Sequence, residues 1–339
     1  MTLDDRFDDL AASLVGFHRT WVVYLGLDLG LFERIRAAGS PGISLDDLAA
    51  VSGCAPAALR TWTLAAHASE LVDHDGSLVR MEPSMAAVLL DEARPEYLGG
   101  QFLFSVVAAM DHDELADVMR SGRPVRERPP RYYRAMERLT RQDTAVFFEE
   151  ALALLPDLVT ELRAGGAIAD MNCGGGRWLV AMAQRFPRTR LLGVEPEPDS
   201  VARALRNVDA AGLSDRIRVE AREVEAIGRE ASFDLVYLQH ALHAIADKPN
   251  ALAAAYGAVR PGGRLLVLSW CLPSTIAEYR TAHGELISGI ALDEILQGTP
   301  LQTREETRAA FRVAGLPEPE TIELPSDATL FHLHRPGGM

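Results

Sequence analysis

Lysine is nearly absent from this chain of 339 residues: of 34 basic residues, only Lys248 is one. Positive charge of any kind is scarce against 48 acids, which leaves a formal net charge of −14. Such a chain repels a phosphate backbone, so nucleic acid is not expected as its partner. Cysteine is equally sparse. Cys54, Cys173 and Cys271 are odd in number and far apart, which excludes a disulfide framework, gives no zinc spacing, and suits a reducing cytoplasm. The opening MTLDDRFDDL lacks a basic segment followed by an apolar one, so export is not expected. Long apolar runs are missing too: WVVYLGLDLGLF is interrupted by Asp28 and falls short of the roughly 20 residues that span a bilayer. No membrane segment is expected.

What is present is a hydrophobic content of 48%, that of an ordinary globular protein long enough for two domains. Residues 10 to 38 carry apolar positions at helical spacing, including Leu14, Phe17, Trp21, Tyr24, Leu25, Leu29 and Phe32. In SLDDLAAVSG, Ser44 is placed to cap a helix that Gly53 ends, with Asp47 as the acid three residues in. A second helix, APAALRTWTLAAHASELV, leads into VDHDGSLVRM, a hairpin turning at Asp75-Gly76. Helix, turn, helix and wing resemble a winged-helix domain. Charge speaks against a DNA reader, since residues 1 to 100 hold 7 arginines against 15 acids and the would-be recognition helix offers only Arg60. Dimerisation and a substrate wall are the preferred role.

The proline- and arginine-rich stretch SGRPVRERPPRYY marks a connection, and a helical stretch containing Tyr133 and Met136 follows it. From residue 167 onward, strand candidates alternate with helices as in a parallel sheet: 167–171, 190–195, 217–221, 233–238 and 264–270. The last two, 321–324 and 328–334, are joined too tightly for a crossover helix and should form an antiparallel hairpin. The centre of the pattern is GAIADMNCGGGRW, a strand ending at Asp170, a glycine turn, and a helix. An acid at the end of the next strand, Glu195, is placed to accept hydrogen bonds from ribose hydroxyls. Glu223, after the third strand, can accept from an adenine amino group, although a solvated surface acid is the plainer reading.

The order of Asp170, Gly174, Gly176, Glu195, Glu223, FDLVYLQHALH and RPGGRLLVL resembles the class I S-adenosylmethionine-dependent methyltransferases. With the winged-helix-like N-terminus, the chain is similar over nearly its whole length to the two-domain small-molecule O-methyltransferases. The resemblance implies an α/β fold, a Rossmann-like seven-stranded sheet with an antiparallel terminal hairpin, and a mainly helical N-terminal domain. It implies a dimerisation and substrate-wall domain over 1–120, a helical connection over 121–160, and the S-adenosylmethionine-binding catalytic domain over 161–339.

Its implied roles are as follows. Asp170 orients the methionine amino group, Gly174 and Gly176 lie under the cofactor, Glu195 holds the ribose, Glu223 faces the adenine, and Gln239 and His240 line the cofactor pocket. His243 matches the family's general base, with Ala244 and Ile245 where the family has Asp and Trp. Tyr133, Met136, Trp270 and His283 are candidates for the acceptor cavity, with ordinary packing as the alternative for each. No metal site is expected, although His240 and His243, three apart, could join a remote ligand such as His283. The departure from the family is Asn172, in place of the first glycine of the turn. Asn tolerates left-handed backbone, so its amide either bonds within the cofactor site or weakens cofactor binding. The implied function is methyl transfer to an aromatic or polyketide-like small molecule, at oxygen first, by a cytoplasmic homodimer. The alternatives are a methyltransferase-like protein running a decarboxylation, hydroxylation or cyclisation, and a winged-helix regulator that senses a ligand.

Overall fold

The computed structural model describes residues 2–125, 128–228 and 231–337. The chain forms two compact units, one of residues 1–111 and 129–145, the other of residues 112–128 and 146–339.

In the first unit the helix Leu3–Asp28 is followed by Leu31–Ala38, Leu45–Ser52 and Pro56–Ala68. Ser44 caps the third of these, its side chain accepting the Asp47 N–H, and Gly53 ends it in the left-handed region at φ 71°. Short strands β1 (Ile43–Ser44), β2 (Asp73–His74) and β3 (Leu78–Arg80) form an antiparallel sheet in the order β1-β3-β2. The wing turns where expected, because the Asp75 carboxylate accepts the N–H groups of Ser77 and Leu78 at 3.0 and 2.9 Å. Phe32, Leu48, Leu59, Trp62 and Val79 form this unit's core.

The first helix is apolar over much of its length. Its 26 residues are long and apolar enough, by length and composition, to cross a membrane, and only 17% of the apolar window is buried within the protein. Its apolar residues are interspersed with Ser13, His18, Arg19 and Thr20, so the sequence shows no unbroken run there. Val23, Gly26 and Leu27 turn inward, whereas Phe7, Leu14 and Phe17 are exposed.

The second unit is built on strands β4 (Gly166–Met171), β5 (Thr189–Glu195), β6 (Ile217–Ala221), β7 (Phe233–Gln239), β8 (Val259–Ser269), β9 (Glu320–Glu323) and β10 (Thr329–His334). Among the described residues they form one sheet in the order β6-β5-β4-β7-β8-β10-β9. The first five run parallel, while β10 is antiparallel to both β8 and β9. Both faces are covered, so the strands read as continuous apolar runs; Leu265, Leu266, Val267 and Leu268 are all fully buried. One face packs through Tyr237 on Phe147, Leu158 and Trp178, and the other through Phe331 on Leu252, Ala255 and Phe311. Asp234 ties three strands at the base of the sheet, accepting the Ala167 N–H at 2.7 Å and the Arg260 Nε–H at 2.6 Å.

From β4 the chain winds outward to β5 and β6, then returns to the other side of β4 with β7. That reversal opens a crevice at the carboxyl end of β4, where sheets of this kind bind ligands. Gly193 in β5 lets the loop after β4 lie close to the sheet. A Cβ there would stand 2.6 Å from Leu179 Cδ1 and 2.7 Å from Cys173 Sγ. Gly193→Ala should therefore destabilise the chain by about 1–3 kcal/mol, the usual cost of overpacking. Urea denaturation measures this, and an unchanged midpoint would contradict it.

Candidate active site

The glycine turn sits at the mouth of that crevice. β4 delivers Asp170, only 3% exposed, and the next residues reverse the chain. Asn172 takes φ 63°, the left-handed geometry that Asn best tolerates after glycine, so the turn survives its departure from glycine. The Cys173 N–H donates to the Val194 carbonyl at 3.0 Å, and the Gly176 N–H to the Cys173 carbonyl at 2.9 Å. Gly174 is also left-handed, at φ 52°, and nothing lies within 4 Å of where its Cβ would be. The turn is thus open on that side, as a cradle for a ligand must be. Gly176, at φ 69°, caps the helix Arg177–Arg185. Behind it, the Asn207 side-chain amide donates to the Gly175 carbonyl at 2.8 Å.

Glu195 ends β5 and is 4% exposed. Its carboxylate accepts the Gly174 N–H at 2.8 Å and the Glu197 N–H at 3.0 Å, one on each oxygen. Each oxygen keeps a second lone pair for an incoming hydroxyl. Burial pushes the Glu195 carboxyl above its ordinary value, against the pull of those two N–H groups. Burial raises the Asp170 carboxyl well above the ordinary range, and the nearby Glu195 charge adds to it. The Cys173 thiol is raised by the same burial and the same two acids, so it stays protonated. Two buried carboxyls beside an open, amide-rich helix start fit a ligand carrying an ammonium group, a carboxylate and vicinal hydroxyls. That is the chemistry of the amino-acid and ribose ends of S-adenosylmethionine. Glu223 lies exposed just after β6, at the start of a short turn.

A second cluster follows β7. Met171 of β4 pairs with Leu238 in register, which sets Gln239 and His240 beside the glycine turn. The Gln239 side-chain oxygen accepts from the Tyr237 hydroxyl at 3.3 Å. His240 is left-handed, at φ 47°, and its N–H donates to the Leu268 carbonyl at 2.8 Å. Its ring meets Trp270 edge-on, with centroids 5.5 Å apart. Burial, helped by the nearby His243, drives the His240 imidazole down to about 3, so it is neutral.

His243 lies in a turn of 3-10 helix, Leu242–Ala244. Its Nε2 is 3.3 Å from Oε2 of Glu294, and that oxygen accepts the Thr299 hydroxyl at 2.7 Å. Glu294 was not anticipated. It sits 51 residues from His243, on the helix Ala282–Gln297, and is 8% exposed. The available signal was its spacing of seven from the fully buried Ile287, which puts it on the helix's inner face.

The remaining candidates are dispersed. His283 Nδ1 is 3.4 Å from Asp327, in the turn between β9 and β10. Tyr133 and Met136 belong to the first unit, where they pack around Phe104 and Tyr132. Among the described residues, no group of three or more His, Cys, Asp or Glu could hold a metal ion.

The raised carboxyls make a prediction about folding. Over the interval between an unfolded carboxyl's value, about 4, and the raised folded values, these two carboxyls bind more protons in the folded chain than in the unfolded one, so their contribution to stability falls as pH rises, opposed below about 6.5 by His240, whose lowered value acts the other way. Asp170→Asn removes the larger carboxyl contribution, so with rising pH the variant should gain stability relative to the wild type. Urea midpoints for both proteins between about pH 4 and about pH 7 test this, and parallel curves would contradict it.

A family profile described as a methyltransferase domain matches residues 168–263. The 27-O-demethylrifamycin SV methyltransferase of Amycolatopsis mediterranei is 30% identical over 185 residues, covering 53% of this chain and 65% of that protein. The ubiquinone biosynthesis O-methyltransferase of Pseudomonas entomophila is 30% identical over 173 residues, covering 48% of this chain and 68% of that protein. Among the first curated relatives, the match spans between 40% and 65% of their own length. In fold, human N-acetylserotonin methyltransferase in complex with S-adenosylmethionine aligns with a TM-score of 0.72 at 17% identity, over 100% of this chain and 99% of that one. With the methyltransferase profile lying across the glycine turn and the acids on either side of it, the chain belongs to the class I S-adenosylmethionine-dependent methyltransferases.

Proposed function

We propose that this protein transfers a methyl group from S-adenosylmethionine to an oxygen of a small aromatic or polyketide-like molecule. The observation that carries the reading is the pair of buried acids, Asp170 and Glu195, beside the open turn at Gly174. Asp170 is the partner for the donor's ammonium group, and Glu195 for its ribose hydroxyls. Glu223 and Gln239 take the base and the pocket wall. Asn172 keeps the turn's geometry, and its amide serves as one more polar contact for the amino-acid end. When bound, the cofactor supplies an electrophilic methyl on its sulfonium.

The chain's own residues have two tasks: to align the acceptor oxygen with that methyl and to remove the acceptor's proton. His243 is the base. With its Nε2 turned to Glu294, Nδ1 is the nitrogen left to receive the proton, and the carboxylate at 3.3 Å stabilises the resulting imidazolium. His240, neutral and set against Trp270, adds no competing positive charge near the sulfonium. Trp270, set against His240, is proposed to line the acceptor cavity.

A cytoplasmic homodimer suits the first unit. Phe7 is 71% exposed and Leu14 66%, on a helix that a second copy would cover, and residues 1–120 would then serve as dimerisation domain and substrate wall. In that division, 121–160 connects and 161–339 binds the donor.

Calorimetry with S-adenosylmethionine and S-adenosylhomocysteine tests the reading directly. Both should bind to one site per chain, and binding of neither would sink it. With a hydroxylated aromatic acceptor found by mass-shift screening, His243→Ala should lower methyl transfer on the order of a hundredfold and leave S-adenosylhomocysteine affinity nearly unchanged. An equal loss of both would make His243 a structural residue.

A further inference from the structure

Glu294 has an acidic neighbour that the proposed chemistry does not use. Asp293 is 4% exposed, and both residues lie in the last turn and a half of the helix Ala282–Gln297. Two adjacent buried carboxylates there face each other's charge and the negative end of the helix dipole. A positive group beside Asp293 would offset that repulsion.

The offset comes from Arg128, with residues 112–125 packed beside the same helix end. Arg128, itself 5% exposed, places Nη1 and Nη2 each 3.0 Å from Oδ1 of Asp293. Nε2 of His112, at the start of the same segment, is 3.4 Å from that oxygen. The backbone reinforces the grip: the Val125 N–H donates to the Leu296 carbonyl at 2.6 Å. Pro124 packs so close to Gly298 that a Cβ at 298 would be 2.8 Å from the proline ring, and Gly298, at φ 75°, ends the helix. Beyond it, Thr299 folds back, its N–H donating to the Glu294 carbonyl at 3.1 Å and its hydroxyl to the Glu294 carboxylate at 2.7 Å.

We propose that the buried Arg128–Asp293 pair is a positioning device for the base, fixing the helix end so that the Glu294 carboxylate meets His243 Nε2 and selects its tautomer. This rests on the reading of His243 as the base. Arg128 neutralises Asp293, which leaves the Glu294 charge for the imidazole. Its planar two-nitrogen grip also sets the rotation of the helix end, a task an ammonium group performs poorly. Neither Arg128 nor Asp293 touches an acceptor in this account; both act through Glu294.

The test is the tautomer of His243, read from its ring ¹⁵N shifts in the ligand-free full-length chain at a pH where the ring is neutral. In the wild type the Nε2–H form should dominate. The double variant Arg128→Gln/Asp293→Asn removes both charges and keeps the shapes, and the Nε2–H to Nδ1–H ratio should fall about tenfold. Arg128→Lys, which keeps the charge and lets the chain fold if the neutral pair does not, should lower the ratio about threefold. Glu294→Gln marks the effect of losing the carboxylate itself. A wild-type ratio in folded Arg128→Lys or in the folded double variant would overturn the proposal, as would a wild type without the Nε2–H preference. The readout needs neither donor nor acceptor. Failure of S-adenosylhomocysteine to bind therefore bears on methyl transfer, and an unmoved tautomer bears on this device.

Discussion

The catalytic unit depends on the burial of one carboxylate. Glu195 sits at the end of a strand with almost no exposure, and it is held there by the N–H groups of Gly174 and Glu197. Those bonds lock the turn after β4 to the end of β5. The lock needs close approach, which Gly193 permits, and left-handed geometry at residues 172, 174 and 176. It also carries an energetic cost. Burial makes both Glu195 and Asp170 hard to ionise, and the Glu195 charge adds to the cost at Asp170; in the proposed reading a ligand bearing an ammonium group relieves that cost on binding. The proposed fit of the turn to a cationic amino-acid end thus follows from the interaction that shapes it.

The same economy of buried charge recurs at the other half of the site. His243 is paired with Glu294, and Glu294 shares its helix end with Asp293, which Arg128 neutralises. Arginine is suited to such a place because it keeps its charge when buried and presents a planar fork. In the proposed account, one basic group at a distance in sequence permits an acid beside the base, and the acid in turn orients the imidazole. The pairing of β4 with β7 brings Asp170 and the loop that carries His243 to adjacent strand ends.

Local pattern in the sequence reached most of the fold. Ile217–Ala221 and the terminal hairpin follow from alternation and from a connection too short to cross over, and Ser44 and Gly53 bound their helix by cap chemistry. The glycine turn and Glu195 were legible because each role needs a residue type at a fixed strand end. β8 begins at Val259, earlier than the apolar run suggested, because the Gly262 N–H donates to the Arg335 carbonyl and keeps the Arg-Pro-Gly-Gly stretch in the sheet. Long-range pairing was out of reach. Glu294 is 51 residues from His243, and Arg128 is 165 residues from Asp293. An acid in an apolar helix announces burial but not its partner. The span of the helix Leu3–Asp28 was hidden by scattered polar residues that leave its average character apolar.

A crystal structure of the full chain with S-adenosylhomocysteine tests the central claim most directly. The account predicts the ligand's amino group on Asp170, its ribose hydroxyls on Glu195, its amino-acid end along residues 172–176, and the vacant methyl position facing His243. A ligand seated elsewhere, or one whose ribose leaves Glu195 uncontacted, would contradict it.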